Sequence, residues 1–500
     1  MSQFKTRFAP SPTGWLHIGS LRTALFAYLF AKKNNGIFLL RIEDTDRERY
    51  MEGGVENILH SLDWAKIKPD EGVALDANGQ TNQIGDNGPY IQSQRLEIYH
   101  KYIQELIDHD KAYYCFCSKE RLDQLRADQQ ANNQPTGYDG QCRNLSLADA
   151  RVRVQAGEKY VVRMKMPQDG TTKFNDLIRG QVEFQNNLID DQVLLKADGY
   201  PTYHLAVVVD DHLMKITHII RGEEWLSSTP KHILLYQMFG WTPPEFAHLS
   251  LLINEKKQKL SKRHGDVSVH DYIDKGYLPE ALINFVAFLG WNPGDEREMF
   301  SLEELTKEFD FNKVSKSAAV FNMAKLDWYN GQYIRNLNID ELTRRCLPFL
   351  VRAGLIDQKM EKDMDLNQQN WLKKAISLEK DRLSKLSDLP ATLGFVFADQ
   401  LDYEAELLIW KKSTRASAKE NLLKLVEFLD NLTFNDWTEE KLTAKTGEWI
   451  SQNSLSNGEI LWPLRVALSG QKNSPGPLAI AEVLGQEKTL QRIKQAADKL

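Results

Sequence analysis

The chain is poor in cysteine, in long apolar runs and in net charge, and each scarcity excludes a class of protein. It has 4 cysteines among 500 residues and a formal net charge of -6 at pH 7. So few cysteines do not build the dense disulfide framework of small secreted domains. The longest apolar runs, such as Leu282–Leu289 with Asn284 inside it, fall short of the roughly 18 residues that a membrane span requires. The charge balance argues against binding a polyanion by bulk charge, but not against a local basic surface.

The N-terminal segment Met1–Phe8 has two basic residues, but no apolar stretch follows them, so no secretory signal is visible. We therefore expect a cytoplasmic protein with no membrane partner. A chain of 500 residues is too long for one hydrophobic core, which predicts two to four domains.

Strand and helix patterns alternate at the start of the chain. Lys5–Ala9 predicts a short strand, Leu21–Lys32 a helix, and Ile37–Ile42 a buried parallel strand. This order is the beginning of a βαβ unit in an α/β fold. The following segment Asp70–Asn87 is rich in glycine, asparagine and aspartate, and it predicts a loop.

The α/β layer is predicted to resume in the middle of the chain, where Leu205–Asp211 and Ile216–Arg221 are expected to form buried strands. The segment between them and Lys111 has shorter strands and turns, so it is expected to be an insertion. From Ser301 onward a helical periodicity continues to the end, and Trp328–Ile334 is the predicted boundary of that half.

A proline- and glycine-containing loop, Ala9–Ser20, lies between the first predicted strand and helix. Gly14 and Gly19 allow a ligand to approach the backbone, and the helix N-terminus beyond them offers free N–H groups to a phosphate. His17 is placed where its imidazole can donate to a phosphate oxygen. The structural alternative is an ordinary turn with a capping histidine.

A second, strongly basic segment, Asn254–Asp266, lies far downstream. Such a segment suits a transition state in which negative charge builds on phosphate oxygens, although a solvated basic run is the common alternative. The two segments together, on either side of an α/β layer, are more specific than either alone.

On these residues the chain resembles the glutamate-specific class I aminoacyl-tRNA synthetases. His17–Ser20 is similar to the HIGH motif and Lys259–Arg263 to the KMSKS motif. Phe8–Gly14 (FAPSPTG) and Arg41–Asp46 (RIEDTD) are similar to signatures of that family. The fourth position of the first motif is Ser20 instead of histidine, a departure that is usual in the glutamate-specific family.

The resemblance implies an α/β class I catalytic domain of Rossmann type, with an inserted acceptor-binding domain, followed by an all-α anticodon-binding region. The implied segments are 1–108 and 196–250 for the two halves of the catalytic domain, 109–195 for the inserted acceptor-stem-binding domain, 251–325 for a stem-contact domain with the KMSKS-like loop, and 326–500 for the anticodon-binding region.

The implied activity is that of a glutamate–tRNA ligase. Glutamate is activated by ATP, with Mg²⁺, to glutamyl-adenylate, and is then transferred to the 3′ terminal adenosine of tRNA(Glu). The family needs bound tRNA to form the adenylate, and family likeness favours a monomer. His17 and Lys262 are the implied catalytic residues. The implied ATP-binding residues are Thr13, Gly19, Glu224, Lys259, Ser261 and Lys262.

A pocket for L-glutamate must neutralise a carboxylate, which arginine does through its two-pronged guanidinium, and must hold an ammonium group, which suits a carboxylate. Arg7 and Arg221 lie at predicted strand ends that a doubly wound sheet brings to one crevice. The resemblance assigns both arginines to glutamate, Glu43 to its amino group, and Tyr203 and Ser11 to the pocket wall. Surface ion pairs are the alternative for any one of them.

Three of the cysteines, Cys115, Cys117 and Cys142, have a spacing that suits zinc, which thiolates hold tetrahedrally. Some family members carry a zinc here with a histidine two residues after the last cysteine. In this chain that position is Asn144, a poor ligand, and Tyr138 is the alternative fourth ligand. Three reduced cysteines in a packed turn remain the other interpretation.

In the helical half, Trp462–Gly470 resembles a family segment whose arginine meets the tRNA anticodon, which makes Arg465 the candidate. A helix-capping surface arginine is the alternative. The helical C-terminal half argues against a glutaminyl-tRNA synthetase, which is expected to end in β-barrels. It also argues against a stand-alone tRNA-modifying paralogue, which lacks this half. A catalytically idle tRNA-binding scaffold does not need the full set of active-site residues. Whether tRNA(Gln) is also charged stays open.

Overall fold

The structure, a computed structural model, describes residues 3–260, 267–411 and 413–500. It consists of two compact units. The first comprises Met1–Ile273 and Pro279–Met323, and the second comprises Asp274–Leu278 and Ala324–Leu500.

The first unit contains the strands and about half of the helices. Its strands are β1 (Lys5–Phe8), β2 (Ile37–Leu40), β3 (Glu71–Leu75), β4 (Thr81–Ile84), β5 (Ala112–Cys115), β6 (Val161–Met164), β7 (Thr171–Asp176), β8 (Gly180–Gln185), β9 (Val193–Leu195), β10 (His218–Gly222), β11 (Glu245–Leu249), β12 (Leu252–Ile253) and β13 (Ala319–Val320). Its helices are α1 (Ile18–Lys33), α2 (Gly54–Trp64), α3 (Leu96–Asp108), α4 (Lys119–Ala131), α5 (Leu147–Gln155), α6 (Tyr203–Leu213), α7 (Thr229–Met238), α8 (Val269–Asp274), α9 (Pro279–Ala287) and α10 (Leu302–Glu308).

An eight-stranded sheet in the order β4-β3-β2-β1-β10-β11-β7-β8 forms the centre of this unit. The strands from β3 to β7 in that order are parallel, and β4 and β8 pair antiparallel at the two edges. The middle strands are almost completely buried, as parallel strands covered on both faces must be. Their carboxyl ends therefore meet at one edge of the sheet, where ligands bind in folds of this kind.

The predicted architecture is confirmed: an α/β unit built on a mostly parallel sheet precedes a helical unit. The first predicted elements correspond to β1, α1 and β2. Two predictions are wrong. Asp70–Asn87 is not a plain loop, because it contains the β3–β4 hairpin, and Leu205–Asp211 is not a strand, because it belongs to helix α6.

The error at Leu205–Asp211 has a physical cause. These residues are buried on every side, and a continuous apolar run has no periodicity that separates a buried strand from a buried helix. The helical state matters for the site. Residues eight apart lie on the same face of a helix, so Tyr203 and Asp211 point to the same side of α6.

The segment predicted as an insertion contributes to two sheets. Strands β5, β6 and β9 form a separate three-stranded sheet, whereas the β7–β8 hairpin extends the large sheet. Helices α4 and α5 connect these strands. The three cysteines of interest lie at the end of β5 and in the connection between α4 and α5.

In its described residues, the second unit is built from helices alone. They are α11 (Met323–Asn336), α12 (Ile339–Arg352), α13 (Gln358–Asp363), α14 (Leu366–Ser377), α15 (Leu389–Phe397), α16 (Arg415–Asp430), α17 (Glu439–Gln452), α18 (Asn457–Ser469) and α19 (Pro477–Lys499). Its core includes Leu425, Leu468 and Ile493, all fully buried. The predicted boundary Trp328–Ile334 lies inside α11. Across the described ranges, none of the helices has the length and apolar character that crossing a bilayer demands.

Gly72 is required where β3 passes β2. Its φ is +114°, and a Cβ there would lie 2.0 Å from the carbonyl oxygen of Leu40. Gly79, in the turn between β3 and β4, also has a positive φ, of +75°, but a Cβ there would meet nothing within 4 Å. A substitution at Gly79 therefore meets backbone strain alone, whereas a substitution at Gly72 meets both backbone strain and a steric collision.

We predict that Gly72→Ala lowers the melting temperature far more than Gly79→Ala. The second change carries only the cost of a left-handed backbone, about 1–2 kcal/mol, whereas the first also forces β2 and β3 apart. Thermal unfolding followed by circular dichroism checks this. Equal shifts for the two variants would contradict the close approach of the strands.

Candidate active site

A cavity of about 690 Å³ lies at the carboxyl ends of β1, β2 and β10. The topology brings together residues that are far apart in sequence, because these strands are neighbours and parallel. The sequence-predicted residues that line the cavity are Arg7, Ser11, Thr13, Glu43, Tyr203, Arg221 and Glu224.

The remaining predicted residues lie elsewhere. His17 and Gly19 are at the start of α1, next to Ser20, which lines the cavity. Lys259 is exposed and forms a β-bridge with Ile253. Ser261 and Lys262 lie outside the described residues. The cysteine cluster is a separate site of the first unit, and Arg465 belongs to the second unit.

His17 is the N-cap of α1. Its Nδ1 accepts the backbone N–H of Gly19 at 3.0 Å, so a neutral ring carries its hydrogen on Nε2. The backbone N–H of Ile18, which follows His17 in sequence, donates to the carbonyl of Val267 at 2.8 Å. The residue that follows the basic segment in sequence is therefore hydrogen-bonded beside His17.

A buried ion network fixes the floor of the cavity. The fully buried Arg41 pairs with Glu43 at 2.9 Å, with Asp211 at 2.7 Å and with Asp210 at 3.7 Å. Asp211 also accepts from Arg7 Nε at 3.2 Å. Burial raises the pKa of Glu43, partly offset by the cations of Arg41 and Arg7. Burial alone would lower the pKa of Arg41, but the three carboxylates raise it well above its usual value.

Asp210 ties this network to α3 and the turn before it. Its carboxylate accepts from Arg95 Nε at 2.7 Å, from Gln92 Nε2 at 2.9 Å and from the hydroxyl of Tyr99 at 2.8 Å. Burial and the nearby Asp210 raise the pKa of Tyr99, which therefore stays a donor. A buried carboxylate is tolerated when it is satisfied in this way.

Arg221 has a different environment. Its Nε donates to His248 Nε2 at 3.1 Å, its Nη1 to the Tyr203 hydroxyl and to His232 Nδ1, both at 3.1 Å, and its Nη2 to Thr229 Oγ1 at 2.8 Å. Within the described ranges, no carboxylate lies within 4.0 Å of this guanidinium. The side chain is nevertheless buried, with 4% exposure.

Two further contacts extend from the histidines. His248 Nδ1 lies 2.6 Å from Asp176 Oδ2, and His232 Nε2 lies 3.0 Å from His204 Nδ1. Burial lowers the pKa of all three histidines, that of His204 to about 3. Burial raises the pKa of Asp176, but the interactions with His248 and the hydrogen bonds from the backbone N–H groups of Arg179 and Ile178 together outweigh it, and the net shift is downward.

The sequence interpretation missed the residues behind the cavity wall. Asp210 and Asp211 could have been identified from the sequence, because two adjacent acids within an apolar segment are rarely buried without charged or hydrogen-bonding partners. His232, His248 and Asp176 carried none, because their significance arises only from contacts across distant strands and helices.

The cysteine cluster fits a tetrahedral metal site. The sulfur atoms of Cys115, Cys117 and Cys142 lie within 4.8 Å of one another, and those of Cys117 and Cys142 are 3.7 Å apart. Sulfurs at about 2.3 Å from a tetrahedral zinc lie about 3.8 Å from each other. The hydroxyl oxygen of Tyr138 lies 3.4 Å from Cys115 Sγ and 3.7 Å from Cys117 Sγ. Arg163 Nε, 3.3 Å from Cys115 Sγ, favours its thiolate.

In the second unit, Arg465 on α18 is half-buried and donates to the carbonyl of Ser474. Burial and the neighbouring Arg382 lower its pKa. A groove of about 860 Å³ lies nearby and has Lys373, Lys374 and Arg382 in its lining. Three acids, Asp381, Glu439 and Glu482, line the same groove, so the charges of its lining balance.

Two protein families match the chain: tRNA synthetases class I (E and Q), catalytic domain, over residues 3–328, and anticodon binding domain over residues 341–497. The chain is 46% identical over 494 residues to the glutamate–tRNA ligase of Clostridioides difficile, covering 98% of each chain. It is 47% identical over 507 residues to that of Finegoldia magna, covering 100% of each. A crystal structure of a glutamate tRNA ligase from Elizabethkingia meningosepticum, in complex with its amino acid, superposes with a TM-score of 0.87 at 36% identity, covering 99% of both chains.

We predict that Arg41→Met destabilises the first unit by about 3–5 kcal/mol, because it removes the cation paired with the buried Glu43 and one of the cations paired with Asp210 and Asp211. The matched control is Arg47→Met, which removes an exposed arginine 3.7 Å from Asp44 and should cost less than about 1 kcal/mol. Urea unfolding monitored by tryptophan fluorescence measures both. A cost for Arg41→Met as small as that of the control would contradict the role of the network.

Proposed function

The chain belongs to the glutamate–tRNA ligases, a family of class I tRNA synthetases, and from this premise we propose which residues serve each substrate. The enzyme activates glutamate with ATP and transfers it to tRNA(Glu). A glutamate α-carboxylate oxygen attacks the α-phosphorus of ATP, the bond to the diphosphate breaks, and glutamyl-adenylate forms. The 3′ terminal adenosine hydroxyl then takes the glutamyl group and AMP leaves.

The observation that carries the proposal is the cavity in which two buried arginines face one buried carboxylate. We assign the side-chain carboxylate of glutamate to Arg221, which has no acid partner of its own among the described residues. Glu43 takes the ammonium group. Arg7 lines the same cavity, and Asp211 and Arg41 connect it to Glu43. The hydroxyls of Tyr203 and Ser11 complete the glutamate pocket. No covalent enzyme intermediate is required, because positioning and charge stabilisation suffice.

ATP is assigned to the end of the cavity next to α1. The positive dipole end of that helix suits phosphate, and His17 lies at this end as the N-cap. Thr13, Gly19 and Glu224 are the other described ATP-binding candidates on this side. Lys259, Ser261 and Lys262 belong to the basic segment, whose following residue Val267 is bonded beside His17. Mg²⁺ accompanies the nucleotide and offsets the charge of its phosphates.

The tRNA is proposed to contact several parts of the chain. Residues 109–195 serve the acceptor stem, 251–325 contact the stem, and 326–500 bind the anticodon. The match of the anticodon binding domain to residues 341–497 supports the last assignment. Arg465 contributes through the loop that its guanidinium holds. Family likeness favours a monomer.

We expect ATP–diphosphate exchange that depends on glutamate and on tRNA(Glu). Glu43→Gln should lower kcat/KM for glutamate about 100-fold by removing a buried charge partner of the ammonium group. Because burial raises the pKa of Glu43, the carboxylate of the wild-type enzyme is lost at a higher pH than usual, and glutamate affinity falls as the pH drops through that raised value. Glu43→Gln should not show this dependence.

The control is Asp44→Asn, an adjacent buried acid that bonds to the N–H of Ser93 and does not line the cavity. It should retain wild-type kinetics for glutamate. Charging of purified tRNA(Glu) and tRNA(Gln) in the same assay identifies the accepted tRNAs. An enzyme that exchanges no diphosphate with glutamate, with or without tRNA, would refute the assignment.

We also propose that the insertion holds one structural zinc through Cys115, Cys117, Cys142 and Tyr138. The distances around the Tyr138 hydroxyl support it as the fourth ligand, whereas Asn144 is an exposed amide. When bound, the metal stabilises the turn between α4 and α5 and takes no part in the chemistry, because the cluster does not line the active-site cavity.

We expect the purified enzyme to contain one equivalent of zinc by mass spectrometry of metals. Tyr138→Phe should lower zinc affinity because it removes one of four ligands. Tyr160→Phe, which removes a hydroxyl from a ring that packs on Tyr114 in the same insertion, should leave the zinc content unchanged. A metal-free protein with unaltered stability in a chelator would favour the packed turn of reduced cysteines.

A further inference from the structure

The hydrogen bonds of Arg221 account for four of its five N–H donors, and every acceptor is a neutral group: two imidazoles, a phenol and a hydroxyl. One Nη2 hydrogen remains. The Tyr203 hydroxyl, which accepts from Arg221, keeps its own hydrogen for another acceptor. Both donors belong to residues that line the active-site cavity.

The acceptor role of His248 follows from its other nitrogen. Because arginine can only donate, His248 Nε2 must carry a lone pair, and its hydrogen must be on Nδ1. That hydrogen points at Asp176 Oδ2, 2.6 Å away. Asp176 is held in turn by the backbone N–H groups of Ile178 at 3.0 Å and Arg179 at 2.8 Å.

His232 repeats the arrangement on the other side of the guanidinium. Its Nδ1 accepts from Arg221 Nη1, so its hydrogen is on Nε2 and is donated to His204 Nδ1 at 3.0 Å. Burial and the charge of Arg221 lower the pKa of His232, so this ring is neutral at neutral pH. The result is an arginine surrounded by imidazoles that accept but bring no negative charge.

We propose that His248 and His232 are positioning residues for amino-acid specificity, with tautomers set by Asp176 and His204. They orient the Arg221 guanidinium without neutralising it, so the anion must come from the substrate. This inference rests on the proposed assignment of the glutamate side chain to Arg221. The side-chain carboxylate of glutamate supplies the charge, and the amide of glutamine, which offers an acceptor but no charge, does not.

Arg7 shows the contrast inside the same cavity. Its guanidinium already has a carboxylate partner, because Asp211 accepts from Nε at 3.2 and 3.3 Å. A second anion therefore gains less at Arg7 than at Arg221. Of these two arginines, Arg221 is the one whose charge is reserved for a ligand.

Amide substitutions test the positioning role. Glutamine places its terminal amide near the Nε2 position of histidine, and asparagine near the Nδ1 position. His248→Gln and His232→Asn therefore keep an acceptor for Arg221, whereas His248→Asn and His232→Gln remove it. We expect the KM for glutamate to be about 10- to 100-fold higher in the two variants that remove the acceptor than in the two that keep it, because a hydrogen bond to a charged group contributes about that much to affinity. The KM for ATP should not change.

The expected pattern is crossed, since glutamine is the milder substitution at His248 and asparagine is the milder substitution at His232. A general loss of packing would rank the two residues in the same order at both sites, and that result would overturn the positioning role. His218→Gln is the control. It alters a half-buried histidine on the same strand as Arg221, packed on Phe4 and Phe30, and it should lower the melting temperature without raising the KM for glutamate.

A second pair tests the reserved charge. Thr229→Asn keeps a neutral acceptor for Arg221 Nη2, whereas the nearly isosteric Thr229→Asp adds an anion there. We expect Thr229→Asp to reduce the ratio of kcat/KM for glutamate over glutamine by at least about tenfold relative to Thr229→Asn. Equal ratios for the two variants would overturn the idea.

These assays start from wild-type enzyme with tRNA present, which separates two kinds of failure. If the wild type does not activate glutamate, the proposed function is refuted. If it does, and neither the crossed pattern nor the change in ratio appears, only the role of the histidines is refuted.

Discussion

The buried pairing of Arg41 with three carboxylates is the constraint on which the cavity depends. Charges inside a protein are tolerated only when partners and hydrogen bonds replace water. Arg41 follows β2, Asp210 and Asp211 are on α6, and Arg7 is on β1, so satisfying these charges requires all three elements at once. The cavity that we propose for glutamate is therefore assembled by the same interactions that join the sheet to α6.

The two arginines of the pocket have opposite electrostatic roles. Arg7 is part of the charge-balanced network and takes its position from Asp211. Arg221 is held by neutral groups and keeps its charge unbalanced by any described acid. Under the proposed assignment, this division lets one cation stabilise the fold while the other stabilises the bound anion.

Much of the catalytic layer was predictable from sequence, because parallel strands are short, apolar and followed by functional residues. The location of Arg7, Glu43 and Arg221 at one cavity was predicted in this way, since the carboxyl ends of neighbouring strands meet. The helical conformation of Leu205–Asp211 was not predictable, because complete burial removes the periodicity that distinguishes helix from strand.

Polar contacts between distant segments were also beyond a sequence interpretation. Asp176 and His248 are 72 residues apart, and nothing in either local pattern indicates the other. The cysteine spacing indicated three metal ligands, whereas the position of Tyr138 relative to the sulfurs required coordinates. Lys262 was identified by motif and lies outside the described residues.

Helix α6 also sets a rule for tolerated changes in chain length. Tyr203 forms part of the pocket wall and Asp211 anchors the ion network, and their separation of eight residues fixes the angle between them at about 80° around the helix axis. Deleting or inserting one residue between them would rotate one relative to the other by about 100°. This stretch should therefore accept substitutions of similar size far more readily than any change in length, unlike the turn between β3 and β4, where extra residues would extend into open solvent.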